Sequence, residues 1–91
     1  MAVKVIVPAP LRQYAGKQDS VEVNAKTVAE ALSTLTSRYG DLRRHLFTDE
    51  GKIRSFVNVY LNDEDIRFLK GQDTAIKDGD EVSIVPAIAG G

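Results

Sequence analysis

The side chains that usually carry chemistry are few in this sequence and poorly placed for it. Among its 91 residues there is no cysteine and one histidine, His45. The chain therefore offers no thiolate nucleophile, no redox pair and no zinc site of the usual cysteine/histidine kind. His45 follows Arg43 and Arg44, a run that invites a phosphate. No glycine-rich approach accompanies it, and the imidazole has no evident nucleophile to serve, so an exposed helical edge is expected. Asp63, Glu64 and Asp65 gather three carboxylates, but their spacing is not that of an EF-hand loop, and a solvated turn without a metal is expected there. What remains is the end of the chain, "VPAIAGG", where Pro86 closes a valine-rich stretch and Gly90 and Gly91 come last. Two residues without a Cβ can thread a narrow channel, and no side chain crowds the carbonyl of Gly91. A terminal carboxyl with an ordinary pKa of about 3.5 is ionised at neutral pH and is a poor electrophile until something activates it.

The elements that would position such a tail follow from periodicity. "AVKVIV" alternates, with Val3, Val5 and Val7 on one face and Ala2, Lys4 and Ile6 on the other, and predicts a first strand. Pro8 and Pro10 stop the ladder, and "RQYAGKQDS" predicts a turn around Gly16 before a second strand, "SVEVN". "TVAE" predicts a capping box in which Thr27 accepts from the third helical amide and Glu30 reaches back to the Thr27 amide. Val28, Ala31, Leu32, Leu35 and Tyr39 then form one apolar stripe on a helix that Gly40 ends. Leu42 and Leu46, four apart, predict a further helical turn with Phe47 beside it. "SFVNVYL" predicts the next strand, "NDED" a turn, "IRF" a short strand, and Asp78-Gly79-Asp80 a turn into "EVSIVP". Together these predict an α+β domain, one mixed sheet packed on one main helix, with residues 1–86 as the domain and 87–91 as a flexible tail.

Composition excludes several function classes. Twelve basic residues against 13 acidic ones give a net charge of -1, which supplies no single-sign field to attract nucleic acid. Apolar runs are too short to span a bilayer, and the first residues lack the pattern of a secretory signal. A cytoplasmic protein is expected, with no membrane and no nucleic-acid partner.

The stretch "DGDEVSIVPAIAGG" resembles the MoaD/ThiS family of sulfur carriers, ubiquitin-like β-grasp rolls that serve partner enzymes as co-substrates and are not enzymes. "FVNVYLNDEDIRF" together with "TAIKDGDEVSIVPAIAGG" is most similar to the CysO branch of that family. The resemblance implies that Gly91 is adenylated by an E1-like enzyme and converted to a thiocarboxylate, and that Ala87, Ile88, Ala89 and Gly90 thread the partner's active site. It implies no permanently bound cofactor, with ATP and magnesium used by the activating enzyme. In the CysO branch the sulfur acceptor is a cysteine synthase-like enzyme, and a metal-dependent peptidase releases the product. The small subunit of molybdopterin synthase, paired with its large subunit, a thiazole-pathway carrier and a ubiquitin-like protein modifier are the alternatives within this chemistry. An interaction module with an inert tail stands outside it.

Strand parity puts Ile6 and Val85 on the face opposite the helix, near the strand ends from which the tail leaves. These two residues, extended by Phe56, Tyr60 and Phe68, form the expected partner-docking patch.

Overall fold

The structure, a computed structural model, describes residues 2–86. Strand β1 (Ala2–Ile6) pairs antiparallel with β2 (Ser20–Asn24), and helix α1 (Val28–Arg38) follows. A 3₁₀ turn (Gly40–Leu42) leads into the short helix α2 (Arg43–Leu46), after which β3 (Val57–Leu61), β4 (Glu64–Asp65) and β5 (Glu81–Pro86) complete the sheet. The strand order is β2-β1-β5-β3-β4. The last strand thus lies in the middle, parallel to β1 and antiparallel to β3. This mixed sheet on one main helix is the expected ubiquitin-like β-grasp.

Alternation in the strands builds the core. Val3, Val5, Val21, Val23, Val57, Val59, Val82 and Ile84 are buried on one face of the sheet, and Val28, Ala31, Leu32 and Leu35 are buried on the helix above it. Each of these valine, leucine and isoleucine side chains contributes about 1.5–3 kcal/mol when fully withdrawn from water, so this face decides the register of the strands that carry them. A second set, Leu42, Leu46 and Phe47, is buried beside it, as the four-residue spacing predicts.

Local expectations fail where short-range polar chemistry decides the path. The loop after β1 is a 3₁₀ helix, Ala9–Tyr14, with Pro10 in its first turn and Leu11 buried; proline presets the backbone angle there and loses no needed donor. The Thr27 hydroxyl accepts the Glu30 amide as expected (3.2 Å), but Glu30 Oε1 accepts from the amide of Lys26 (3.0 Å) and not that of Thr27. Tyr39 caps α1, and Gly40 opens the next turn without ending the helix itself. Ser55 and Phe56 form a turn, so β3 begins at Val57.

The expected turn "NDED" and strand "IRF" are displaced by two residues. Asn62 and Asp63 both take positive φ (50° and 74°), the requirement of a two-residue hairpin turn, and pairing resumes at once with Leu61 opposite Glu64. The Asp65 side chain then accepts the amide of Arg67 at 2.9 Å, which bends Ile66–Phe68 into a 3₁₀ turn.

Candidate functional site

Gly91, Gly90, Ala89, Ile88 and Ala87 lie outside the described residues. The platform that presents them is defined. Pro86 is the last residue of β5 and stands opposite Val57 of β3. β1 pairs with β5 only from Glu81 to Ser83, so the point where the chain leaves the sheet is held by β3.

The Asp-Gly-Asp turn anchors the other end of β5. Gly79 has φ 90°, a conformation that disfavours any side chain, and its amide donates to the carbonyl of Ala2 at 2.9 Å. Asp78 Oδ1 accepts the amide of Ala2 (2.8 Å), and the amide of Lys4 donates to the carbonyl of Asp80 (3.0 Å). Asp80 Oδ1 accepts from Asn62 Nδ2 (2.9 Å) while Oδ2 accepts the Lys77 amide (2.7 Å). Asn62 closes the clamp, since its Oδ1 accepts the Glu81 amide at 2.9 Å. The hydrogen bond from Asn62, then that from the Lys77 amide, holds the Asp80 carboxyl below the usual carboxylate range. The turn therefore ties β1, β5 and the β3–β4 hairpin together, a structural role for the acidic residues of the motif. Sequence reasoning missed Asn62; its polar position between two strand patterns marked only a turn.

The outward face has a polarity that runs along β5. Lys4 stands between Glu22 and Glu81 in register, whereas Ile6 stands beside Ser83, which has Tyr60 on its other side. Val85 follows two residues later on the same face, 44% exposed and opposite Asn58. Charge thus lies toward the start of β5 and apolar surface toward the end from which the tail leaves. The structure brings Ile6, Tyr60 and Val85 onto one surface, and Phe56, 47% exposed, lies in the turn at its margin. Phe68 is not on that strand face. It projects, 82% exposed, from the 3₁₀ turn after β4 with Leu69 beside it.

Two other expectations are corrected by packing. Asp65 is not part of a solvated turn: it is buried, and Arg67 Nη2 approaches its Oδ2 at 2.7 Å, with Nε at 3.1 and 3.2 Å from the two oxygens. The hydrogen bonds from Arg67 hold the Asp65 carboxyl down and raise the guanidinium in turn. His45 is half-buried, not on an exposed edge; its ring stacks on Tyr14 with centroids 4.3 Å apart. Among the described residues no cluster of three histidine, aspartate or glutamate side chains is arranged to hold a metal, and no helix is long and apolar enough to cross a membrane.

Comparison with known proteins covers the whole chain. The family model described as the ThiS family matches residues 5–91. The "Sulfur carrier protein CysO" of Mycobacterium tuberculosis is 44% identical over 93 residues, covering 100% of both chains. The structure described as the Amycolatopsis orientalis BexX/CysO complex contains a chain that is 43% identical and superimposes with a TM-score of 0.90, covering 99% of this chain and 100% of that one. "Small archaeal modifier protein 3" of Haloferax volcanii is 40% identical over 65 residues, which is 71% of this chain and 70% of that protein.

Proposed function

This chain belongs to the ThiS family, and from that premise we propose that it is a sulfur carrier whose Gly91 carboxyl is the reacting group. Full-length identity to a sulfur carrier protein supports this reading most strongly. The platform agrees with it: β5, the central strand, stops at a proline paired with Val57 of β3, with a five-residue Gly-Gly stretch beyond in the sequence.

The chemistry is that of an acyl group made reactive by others. Attack of the carboxylate on ATP forms an acyl adenylate and expels pyrophosphate. A sulfide or persulfide sulfur then forms a bond to the carbonyl carbon, AMP leaves with the C–O bond electrons, and, for a persulfide, reductive cleavage of the S–S bond by a thiol leaves C(=O)S⁻ on the glycine. The nucleotide, the magnesium and the catalytic groups belong to the activating enzyme, so this chain is a protein substrate and not an enzyme. Five extended residues reach about 16–18 Å, enough for Gly91 to enter a partner's site while the domain stays outside. Ile6, Tyr60 and Val85, with Phe56 at their margin, dock that partner. Cysteine formation in an acceptor enzyme is the proposed destination of the sulfur.

Pyrophosphate exchange tests the first step. An E1-like enzyme should exchange labelled pyrophosphate into ATP only when this chain is present, and adding one alanine after Gly91 should stop it. Exchange that persists with the extended chain would rule Gly91 out as the adenylated residue. Similarity to an archaeal modifier protein favours a second reading, in which the activated glycine is joined to lysines of other proteins. Isopeptide-linked Gly91 remnants on cellular lysines would establish it.

A further inference from the structure

The outward surface does not stop at the edge of the sheet. Asn58, opposite Val85, and Asp65, opposite Tyr60, share register positions with it. Both also line a cavity of ≈ 440 Å³ at the outer edge of β3, walled by Arg54 and Ser55 on the chain entering β3 and by Arg67 and Gln72 on the chain leaving β4. The side chains of Val57, Val59 and Ile66 at its floor are already buried, so the cleft offers no apolar seat. What it offers is charge.

Two guanidinium groups line it, and each is fixed through its Nε. Arg67 Nε lies 3.1 and 3.2 Å from the two Asp65 oxygens and its Nη2 lies 2.7 Å from Oδ2, so Asp65 neutralises this cation. Arg54 Nε donates to the carbonyl of Arg44 at 2.7 Å, and its two Nη groups meet no acceptor among the described residues. A guanidinium held by its Nε presents both Nη groups in one plane, the geometry that bidentate carboxylate recognition needs. The cleft thus carries one uncompensated positive charge on a half-buried arginine, with Ser55, Asn58 and Gln72 as neutral polar neighbours.

We propose that this cleft receives a carboxylate side chain of the activating enzyme, seated on Arg54, while the enzyme covers the apolar face around the edge of β3. Position favours that partner. Pro86, the last described residue of the chain, stands opposite Val57 beside the cleft, and five residues can carry Gly91 no more than about 16–18 Å from it. An enzyme that acts on Gly91 must therefore approach this end of the sheet. Charge at the rim of an interface sets encounter rate and partner choice more than it adds raw affinity. The site rests on activation of Gly91 by such an enzyme, and adds the charge by which the enzyme is recognised.

Calorimetry with the E1-like enzyme tests it, using Arg54→Gln and Arg54→Glu in the full chain. Both variants lose the bond to Arg44, so the difference between them reads charge alone. Arg54→Gln should bind about fivefold more weakly than the wild type and Arg54→Glu about tenfold more weakly again, and the second gap should close in about 1 M salt. A photo-crosslinking residue in place of Gln72 should join the chain to an enzyme segment that contains aspartate or glutamate. Equal affinities of Arg54→Gln and Arg54→Glu, or a cross-link to a segment without a carboxylate, would overturn the proposal. Inorganic phosphate that saturates the cleft at micromolar concentration would make it a phosphate site and would also overturn it. Mass analysis of the same samples keeps the two readings apart. A wild type that loads sulfur while the two variants bind alike overturns the cleft alone, whereas a wild type that neither binds nor loads overturns the carrier reading and this site with it.

Discussion

Replacing Asp80 with alanine separates structure from chemistry within the recognised motif. The substitution removes two charge-assisted hydrogen bonds, one from the Lys77 amide at 2.7 Å and one from Asn62 Nδ2 at 2.9 Å. Bonds to a charged group contribute about 1.5–3 kcal/mol each when well shielded; Asp80 is partly exposed, water replaces much of that, and about 2 kcal/mol is expected for the pair. For a domain of this size the melting temperature should then fall by roughly 8–16 °C. Urea denaturation should show the midpoint lowered with the slope unchanged. The sign of the pH dependence follows from the depressed carboxyl. Stabilisation from ionised Asp80 is fully present above its unfolded pKa of about 3.9 and is lost as pH falls through the still lower folded value. The stability gap between wild type and Asp80→Asn should therefore be constant from about pH 5 to 8 and close below about pH 4. Folded Asp80→Ala should still accept sulfur at Gly91. Unchanged melting together with lost sulfur loading would refute the clamp and make Asp80 a partner contact.

Other substitutions divide the molecule in the same way. Leu35→Ala empties a site that is 0% exposed and should cost about 2–5 kcal/mol in urea titration; a loss below about 1 kcal/mol would contradict the core assignment. Val85→Asp, on the outward face, should change stability by less than about 0.5 kcal/mol yet weaken binding to the activating enzyme about tenfold or more by calorimetry. An unaltered affinity would move the docking surface elsewhere. The chain extended by one alanine after Gly91 should melt as the wild type does and fail to load sulfur in the same assay. An extended chain that loads normally would show that the terminal position is not required.

Where one apolar face is buried, the sequence was easily read. The valines of β1 and β2, the stripe from Val28 to Leu35 and the alternating Val82 and Ile84 each obey one period over enough residues to exclude the other. Between Asn62 and Phe68 no such period exists. There a single side chain decides the path: Asn62 accepts positive φ and reaches Glu81, and Asp65 captures the amide of Arg67. Nothing in local hydrophobicity distinguishes that outcome from a strand at "IRF". The burial of Asp65 and the stacking of His45 on Tyr14 depend on partners two and 31 residues away, and charge alone pointed to solvent for both. The outward apolar surface was legible in part, because parity places Ile6, Tyr60 and Val85 on one face once the strands are known. Phe68 escaped parity because it is not in a strand.

Intact mass of the chain, before and after incubation with an E1-like enzyme, ATP and a sulfur donor, tests the central claim most directly. The account predicts a gain equal to the mass difference between sulfur and oxygen, located by fragmentation at Gly91. A chain that binds the activating enzyme productively yet gains no mass, or gains it at another residue, would contradict it.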